Sequence, residues 1–366
     1  MRALCNRSEE IGTLTSMPGL VCSGLGNRPG LIVSEITELS VGVDVGGTKI
    51  AAGAISGTAV VESHERPTVL DPAGILDEIE GAARSVIQAA GAPVTAVGIG
   101  VPSQVEFATG RVMASVNIPF QGVNLREELG RRLGLPVYVD NDGNCAALAE
   151  AYLAQGGPAQ HLVMYTMGTG VGGGVVIDGR VFRGATGLGA ELGHVVIQAD
   201  GPECPGNCPN RGCMEALCSG LALERDATQL GRDRPDSPLG KIVAEKGRAS
   251  GRDTVAAARE DDPDALALLE QVGTWLGVGI SNAINTFEPE WVAVGGGLSA
   301  AADLFLGRAI EEACSRALPA SLASVRIAPA RGGPAAGVIG AALLASQEYA
   351  RATRDTQTAT ASEGVL

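Results

Sequence analysis

Aromatic residues are scarce in this chain: two Trp, four Tyr and five Phe among 366 residues. Few side chains are on hand to stack nucleobases or carbohydrate rings. Positive charge is short as well, with 27 Lys and Arg against 41 Asp and Glu and a formal net charge of −14. No long basic run offsets the deficit, and a nucleic-acid surface needs a local patch of Lys and Arg. Binding to DNA or RNA is not expected. A run of 18 or more apolar residues is also missing, so no segment reads as a membrane-spanning helix. The opening MRALCNRSEE carries charge with no apolar segment behind it, unlike a secretory signal.

Glycine, by contrast, is abundant: 52 residues, where roughly 7% of a chain is usual. Hydrophobic residues make up 45% of the sequence, enough for real cores, and the length is about twice that of a common single domain. Two lobes are the expectation. The eight cysteines are uneven: Cys5, Cys22, Cys145, Cys218 and Cys314 are scattered, whereas Cys204, Cys208 and Cys213 cluster. That distribution does not read as a disulfide framework. It suggests a cytoplasmic protein with a metal at the cluster.

Residues 1–38 show no sustained period and read as a disordered tail, or as a start placed too early, with Met17 another candidate. Order begins at 39–55, an apolar strand, a Gly-Gly turn and a second apolar strand. Residues 71–90 have helical spacing, with Ile75, Ile79, Ala82, Ala83, Val86 and Ile87 on one side. Strands are predicted at 95–102 and 137–140, and helices at 125–133 and 141–153. Beyond 160 the pattern gives a strand, a glycine loop and a hairpin around Asp178-Gly179, then helix over 213–230. The polar stretch 231–253, punctuated by Pro235 and Pro238, is expected to be a surface excursion. Helices at 254–260, 263–286 and 301–317, a strand followed by a Gly turn over 291–299, a strand at 324–328 and a helix at 335–350 complete the order. Strands alternate with helices in two batches, which makes the class α/β. The boundaries expected are a small lobe over 39–157 completed by 335–350, a large lobe over 158–334, and a disordered tail from 351.

Three glycine-rich turns each follow a strand: Asp44-Val-Gly46-Gly47-Thr48-Lys49, Gly168-Thr169-Gly170 with Gly172–Gly174 behind it, and Gly295-Gly296-Gly297. Backbone without Cβ approaches a ligand closely and can aim N–H groups at phosphate oxygens. A dinucleotide fingerprint would open a helix, and a Walker loop would read G-x-x-x-x-G-K-[ST]. Here the first two turns run into β-branched segments instead. They are hairpin turns, the pattern of an actin-like, sugar-kinase type of nucleotide site.

The motifs DVGGTK (44–49), NDGN (141–144), TMGTGVGGG (166–174), GAELGH (189–194), EPEWVAVGGGLS (288–299) and GVIGAALLA (337–345) together resemble those of the ROK family. Its sugar kinases and sugar-responsive repressors share one actin-like (ribonuclease H-like), two-lobed fold. The resemblance runs from about residue 40 to 346. It implies an ATP-dependent hexose kinase whose lobes close over the sugar, with glucose first and fructose, mannose or N-acetylmannosamine as alternatives, and a homodimer or homotetramer. Phosphoryl transfer to an alcohol needs a carboxylate to accept the hydroxyl proton. By resemblance that base is Asp142, although Asp140, Asn141 or Asp142 could instead simply cap the helix. Asn141 resembles a hydroxyl-binding residue, and Asp44 the carboxylate that holds Mg²⁺. Thr48 and Thr169 stand where hydroxyl donors flank the phosphates, with Gly47, Lys49, Gly168, Gly170, Gly296 and Gly297 in the turns around the nucleotide. Asn117, Glu191, His194 and Glu215 resemble sugar contacts. The repressors carry a helix-turn-helix ahead of the first turn, whereas the 43 residues before Asp44 show no helical period.

His194, Cys204, Cys208 and Cys213 supply one imidazole and three thiols within 20 residues, the donor set of a closed structural Zn²⁺ site. The family usually separates its first two cysteines by one residue. Here three separate Cys204 from Cys208, a departure that bears on Cys204, and Cys218, on the helix that follows, is a poor substitute. Two further departures touch the sugar side: Ser103 replaces the Gly common after Pro, and Asn117 lies in SVNIPF rather than an Asn-Leu-x-Gly/Trp run.

Overall fold

The computed structural model describes residues 39–115, 118–206 and 208–363. Asn117 and residues 1–38 lie outside the described residues. In chain order the strands are β1 (Leu39–Val45), β2 (Lys49–Ser56), β3 (Ala59–Pro67), β4 (Val94–Val101), β5 (Ser103–Glu106), β6 (Arg111–Ser115), β7 (Val137–Asn141), β8 (Leu162–Met167), β9 (Val171–Ile177), β10 (Arg180–Val181), β11 (Trp291–Gly295) and β12 (Arg326–Pro329). The helices are α1 (Pro72–Ala89), α2 (Leu125–Leu133), α3 (Asp142–Leu153), α4 (Met214–Cys218), α5 (Gly220–Asp233), α6 (Pro238–Lys246), α7 (Gly251–Arg259), α8 (Pro263–Phe287), α9 (Leu306–Arg316), α10 (Pro319–Leu322) and α11 (Ala336–Glu363). Two five-stranded sheets run in the orders β3-β2-β1-β4-β7 and β10-β9-β8-β11-β12, and β5-β6 form a separate hairpin. The α/β class read from the sequence is the class observed. Among the described residues no helix is long and apolar enough to cross a membrane.

The described chain divides into two compact units, one of residues 39–164, 172–191 and 330–363, the other of 165–171 and 192–329. The division differs from the lobes at 39–157 with 335–350 and at 158–334 that the sequence suggests, because residues 158–164, 172–191 and 330–334 group with the first unit.

In the first unit β1 lies between an antiparallel β2 and a parallel β4. Successive side chains of a strand face opposite sides. Val41, Val43 and Val45 enter one apolar cluster with Ile75, Ile79 and Val86 of α1 and Leu125 and Leu129 of α2. The other face of the sheet is cut back to glycine. A Cβ on Gly42 would stand 1.9 Å from the Val338 carbonyl oxygen, and one on Gly98 of β4 1.7 Å from that of Ala341. Helix α11 is thus laid directly onto sheet backbone, an approach only glycine permits. The same period carries Asp44 to the α11 side, where a Cβ on Gly337 would lie 2.5 Å from the Asp44 carboxyl.

Local chemistry explains where the elements start and stop. Asp71 caps α1 ahead of Pro72, and Asn124 caps α2, which ends on left-handed Gly134. The 231–253 stretch is not simply a surface excursion. Ser237 caps α6, Pro238 takes the first turn where its missing N–H costs nothing, and Gly247 closes the helix in the left-handed region. Helix over 213–230 becomes α4 and α5, broken at extended Ser219, which caps the second. The expected hairpin at Asp178-Gly179 is present, both residues having positive φ as a two-residue turn requires. Helix α11 runs to Glu363, well past the expected end at 350, so residues 351–363 are helix where a disordered tail is predicted. No Gly or Pro interrupts the chain between Gly340 and Gly364, and helix-forming Ala, Arg and Gln carry it on.

Candidate functional site

The tripeptide Asp140-Asn141-Asp142 shows how one short segment divides its work. Asp140 is buried and saturated: its carboxylate takes Arg183 Nε at 2.6 Å, the Asn144 side-chain amide at 2.8 Å and the Asn141 N–H at 2.8 Å. Asn141 is the cap of α3, with Oδ1 accepting from the Gly143 and Asn144 N–H groups at 2.9 and 3.3 Å. Its Nδ2 donates to the Ser103 carbonyl at 3.3 Å. Asp142, the first residue of α3, keeps a carboxylate engaged by the Gly143 N–H at 2.8 Å. Burial, followed by the negative charges of Asp44 and Glu191, pushes the Asp142 carboxyl up to about 6. A carboxylate held at that point is a competent proton acceptor near neutrality.

Asp44, next to last in β1, lies on the face of the sheet that receives α11. Burial raises its carboxyl above the ordinary range, and Lys49 opposes that rise. Lys49 reaches the exposed edge, where its Nζ pairs with Glu65 at 2.6 Å. The turn between them is closed by the Gly46 N–H on the Lys49 carbonyl (2.9 Å) and braced by Thr68, whose hydroxyl donates to the Gly46 carbonyl at 2.7 Å. A Cβ on Gly47 would meet nothing within 4 Å, so the ground above this turn is open. Thr48 is exposed beside it. Glu191, after left-handed Ala190, is exposed and accepts from Gln104 Nε2 at 3.3 Å. Ser103 is buried in the β5-β6 hairpin, its hydroxyl on Ser115 Oγ at 2.8 Å.

The second unit carries the other two turns and the cysteine cluster. The turn 168–170 follows β8, and the Gly168 N–H closes it on the Gly170 carbonyl at 2.9 Å. Gly296 has φ of +85°, and a Cβ there would stand 2.4 Å from the Met167 carbonyl oxygen. At Gly168 and Gly297 a Cβ would meet nothing within 4 Å. The ligand atoms of His194, Cys204, Cys208 and Cys213 all lie within 4.8 Å of one another. Zn–S bonds of about 2.3 Å imply tetrahedron edges of about 3.8 Å, so this set fits a four-coordinate cation. Cys204 belongs to it despite the longer spacing, with its Sγ 3.8 Å from His194 Nδ1. Cys218 faces away and donates to the Met214 carbonyl. Burial pushes the Cys204 and Cys213 thiols up, so a cation is what would draw thiolates from them. Glu215, expected to face a sugar, accepts the Val171 N–H on Oε2 at 3.0 Å.

Two residues of consequence have no local signature. Arg183 pairs with Asp140 and lies over the Phe107 ring, 3.6 Å from its centroid. Glu150, buried in α3, accepts the Arg331 and Gly332 N–H groups at 2.8 and 2.6 Å, fixing the segment that leads into α11. A Glu at a buried position of a helix was the one available signal for it.

The ROK family model matches residues 40–348. The chain belongs to the ROK family. Among curated relatives, the glucokinase of Thermotoga maritima is 33% identical over 307 residues, covering 83% of this chain and 96% of its own. A ROK family glucokinase from Streptomyces griseus, solved in complex with glucose and AMPPNP, is 32% identical with a TM-score of 0.70, covering 84% of this chain and 99% of that one. A ROK family transcriptional regulator, a homolog of the E. coli MLC protein, is 27% identical with a TM-score of 0.74, covering 86% and 79%. The actin-like sugar-kinase fold expected from the motifs is the fold of this chain.

Proposed function

We propose that this protein is an ATP-dependent hexose kinase acting on glucose, converting ATP and glucose to ADP and glucose 6-phosphate. One observation carries the reading. Of three consecutive polar residues, Asp140 is committed to the fold and Asn141 caps α3 through Oδ1, while Asp142 is left with a raised, proton-accepting carboxyl. In the reaction Asp142 takes the proton of the sugar hydroxyl as its oxygen bonds to the γ-phosphorus and the bond to ADP breaks. Asp44 would hold Mg²⁺, which shields phosphate charge. The turns at Gly47-Thr48-Lys49, Gly168-Thr169-Gly170 and Gly296-Gly297 would take the nucleotide. Asn117, Asn141, Glu191, Glu215 and the Nε2 of His194 would meet sugar hydroxyls. His194 through Nδ1, with Cys204, Cys208 and Cys213, would hold Zn²⁺ as a structural ion. The assembly is a homodimer or homotetramer.

The likeness to a transcriptional regulator favours one second reading, a sugar sensor without turnover. A coupled ADP-release assay with Mg-ATP across glucose, fructose, mannose and N-acetylmannosamine separates the two. Turnover on glucose that vanishes in Asp142→Asn supports the kinase. Sugar binding with no turnover on any hexose moves the assignment to the sensor.

A further inference from the structure

Two residues close in sequence to the four-donor cluster, Gly193 and Glu215, touch the turn 168–171, and the start of α5 holds it from the other side. Gly193, next to His194, lies so close that its Cβ would be 1.8 Å from the Val171 carbonyl oxygen. Glu215, two residues past Cys213, accepts the Val171 N–H at 3.0 Å. The Gly220 and Leu221 N–H groups donate to the Gly168 and Thr169 carbonyls at 2.8 and 3.1 Å.

Glu215 is the centre of this arrangement. Its carboxylate is wedged between two glycines, one from each side. A Cβ on Gly170 would lie 2.2 Å from Oε2, and a Cβ on Gly206, inside the cysteine segment, 2.2 Å from Oε1. The Cys204 thiol donates to the same Oε1 at 3.5 Å. Gly206 of the cysteine segment therefore packs on Oε1 while Oε2 keeps the turn. The Cys204–Cys213 segment is anchored to its neighbours through the Val196–Cys213 bridge and the Met214 N–H on Val195. Residues 195–206 and 208–212 are largely exposed or half-buried.

We propose that Glu215 is a positioning residue that couples the metal cluster to the turn 168–171, so that zinc and nucleotide raise each other's affinity. The proposal rests on reading the cluster as a Zn²⁺ site and the turn as a phosphate cradle. Such coupling is reciprocal by thermodynamic necessity.

The test uses the full chain, its zinc content measured by plasma mass spectrometry and its ADP affinity by calorimetry in Mg²⁺, before and after dialysis against a chelator. The expected result is one zinc per chain, ADP binding weakened about tenfold on stripping, and recovery on zinc return. Gly206→Ala, which leaves all four donors in place, should retain zinc and weaken ADP binding about fivefold by displacing Oε1. ADP affinities within twofold of each other in the replete and stripped chains overturn the coupling. If the stripped chain unfolds, zinc-replete Gly206→Ala decides alone, and ADP affinity within twofold of the unsubstituted chain overturns it. A chain that takes up no zinc removes the cluster reading, and one that holds zinc but ignores ADP removes the cradle reading. Either defeats the coupling, and the two failures are told apart by the metal content.

Discussion

The first and second glycine turns look alike in the sequence and differ in what surrounds them. At Gly47 a side chain would touch nothing, and the neighbouring acids, Asp44 and Asp142, sit with raised carboxyls and few donors. At Gly170 a side chain would strike Glu215, whose carboxylate is occupied by the Val171 N–H. One turn is glycine with open space above it. The other is glycine because the protein itself fills the space. A glycine motif therefore conflates two physical demands, ligand approach and internal packing. The charge follows the same division: Asp44 and Asp142, with raised carboxyls, belong with the open turn, and Glu215 is bonded to the filled one.

The largest effect expected is on the uncommitted side. Asp142→Asn should cut turnover about a thousandfold, the contribution of a lost proton acceptor, with glucose still bound by calorimetry. The same substitution should leave the thermal midpoint unchanged or raised near pH 7. The folded-state carboxyl is raised to about 6, so the stabilisation it gives is present at low pH and lost as pH rises through 6. Next comes the pH profile. The acid limb of kcat/KM should fall near pH 6, where Asp142 takes up its proton. Asp44→Asn removes a neighbouring negative charge and should move that limb of the residual activity to lower pH. A limb that stays in place would break the link between the two acids.

The paired glycine substitutions sharpen the comparison directly. Gly170→Ala should cost stability, about 1 kcal/mol in urea unfolding for the lost Glu215 acceptor. Gly47→Ala should cost little stability and instead raise the KM for ATP several-fold. Reversal of that pattern would mean that the open and filled turns have been assigned the wrong way round. Smallest of all, Lys49→Ala removes an exposed ion pair with Glu65, worth about 0–1 kcal/mol, and should barely move the melting curve.

What was legible in the sequence was local. The α1 stripe, the α2 span, the Asp178-Gly179 hairpin and the Asp140–Asp142 handover from strand to helix all lie in short windows of spacing and turn chemistry. Short windows also misled. Pro235 and Pro238 read as breaks, yet Pro238 starts α6, because proline is as much a helix beginning as an end. The polar stretch after Ala350 read as disordered because it has no apolar stripe, but propensity alone continues the helix there. Side-chain pairings across long separations left no trace: Arg183 on Asp140 and Glu150 on the Arg331 and Gly332 N–H groups depend on the completed fold. Of the candidate site, identities were readable residue by residue. Which acids were already spoken for was not.

The glycine-lined face that receives α11 has a consequence for how the chain is made. β1 is the earliest described strand and α11 the last described element, and they meet backbone to backbone at Gly42, as α11 and β4 do at Gly98. Contacts between such distant parts of a chain form slowly, because the whole intervening loop must close. During synthesis residues 192–329 emerge before α11 exists, so the unit they form can fold while the first sheet still shows a bare glycine face. The order of birth is the reverse of what residue numbers suggest: the sheet that begins first is finished last, and until then it is the part of the newborn protein most in need of shelter from its neighbours.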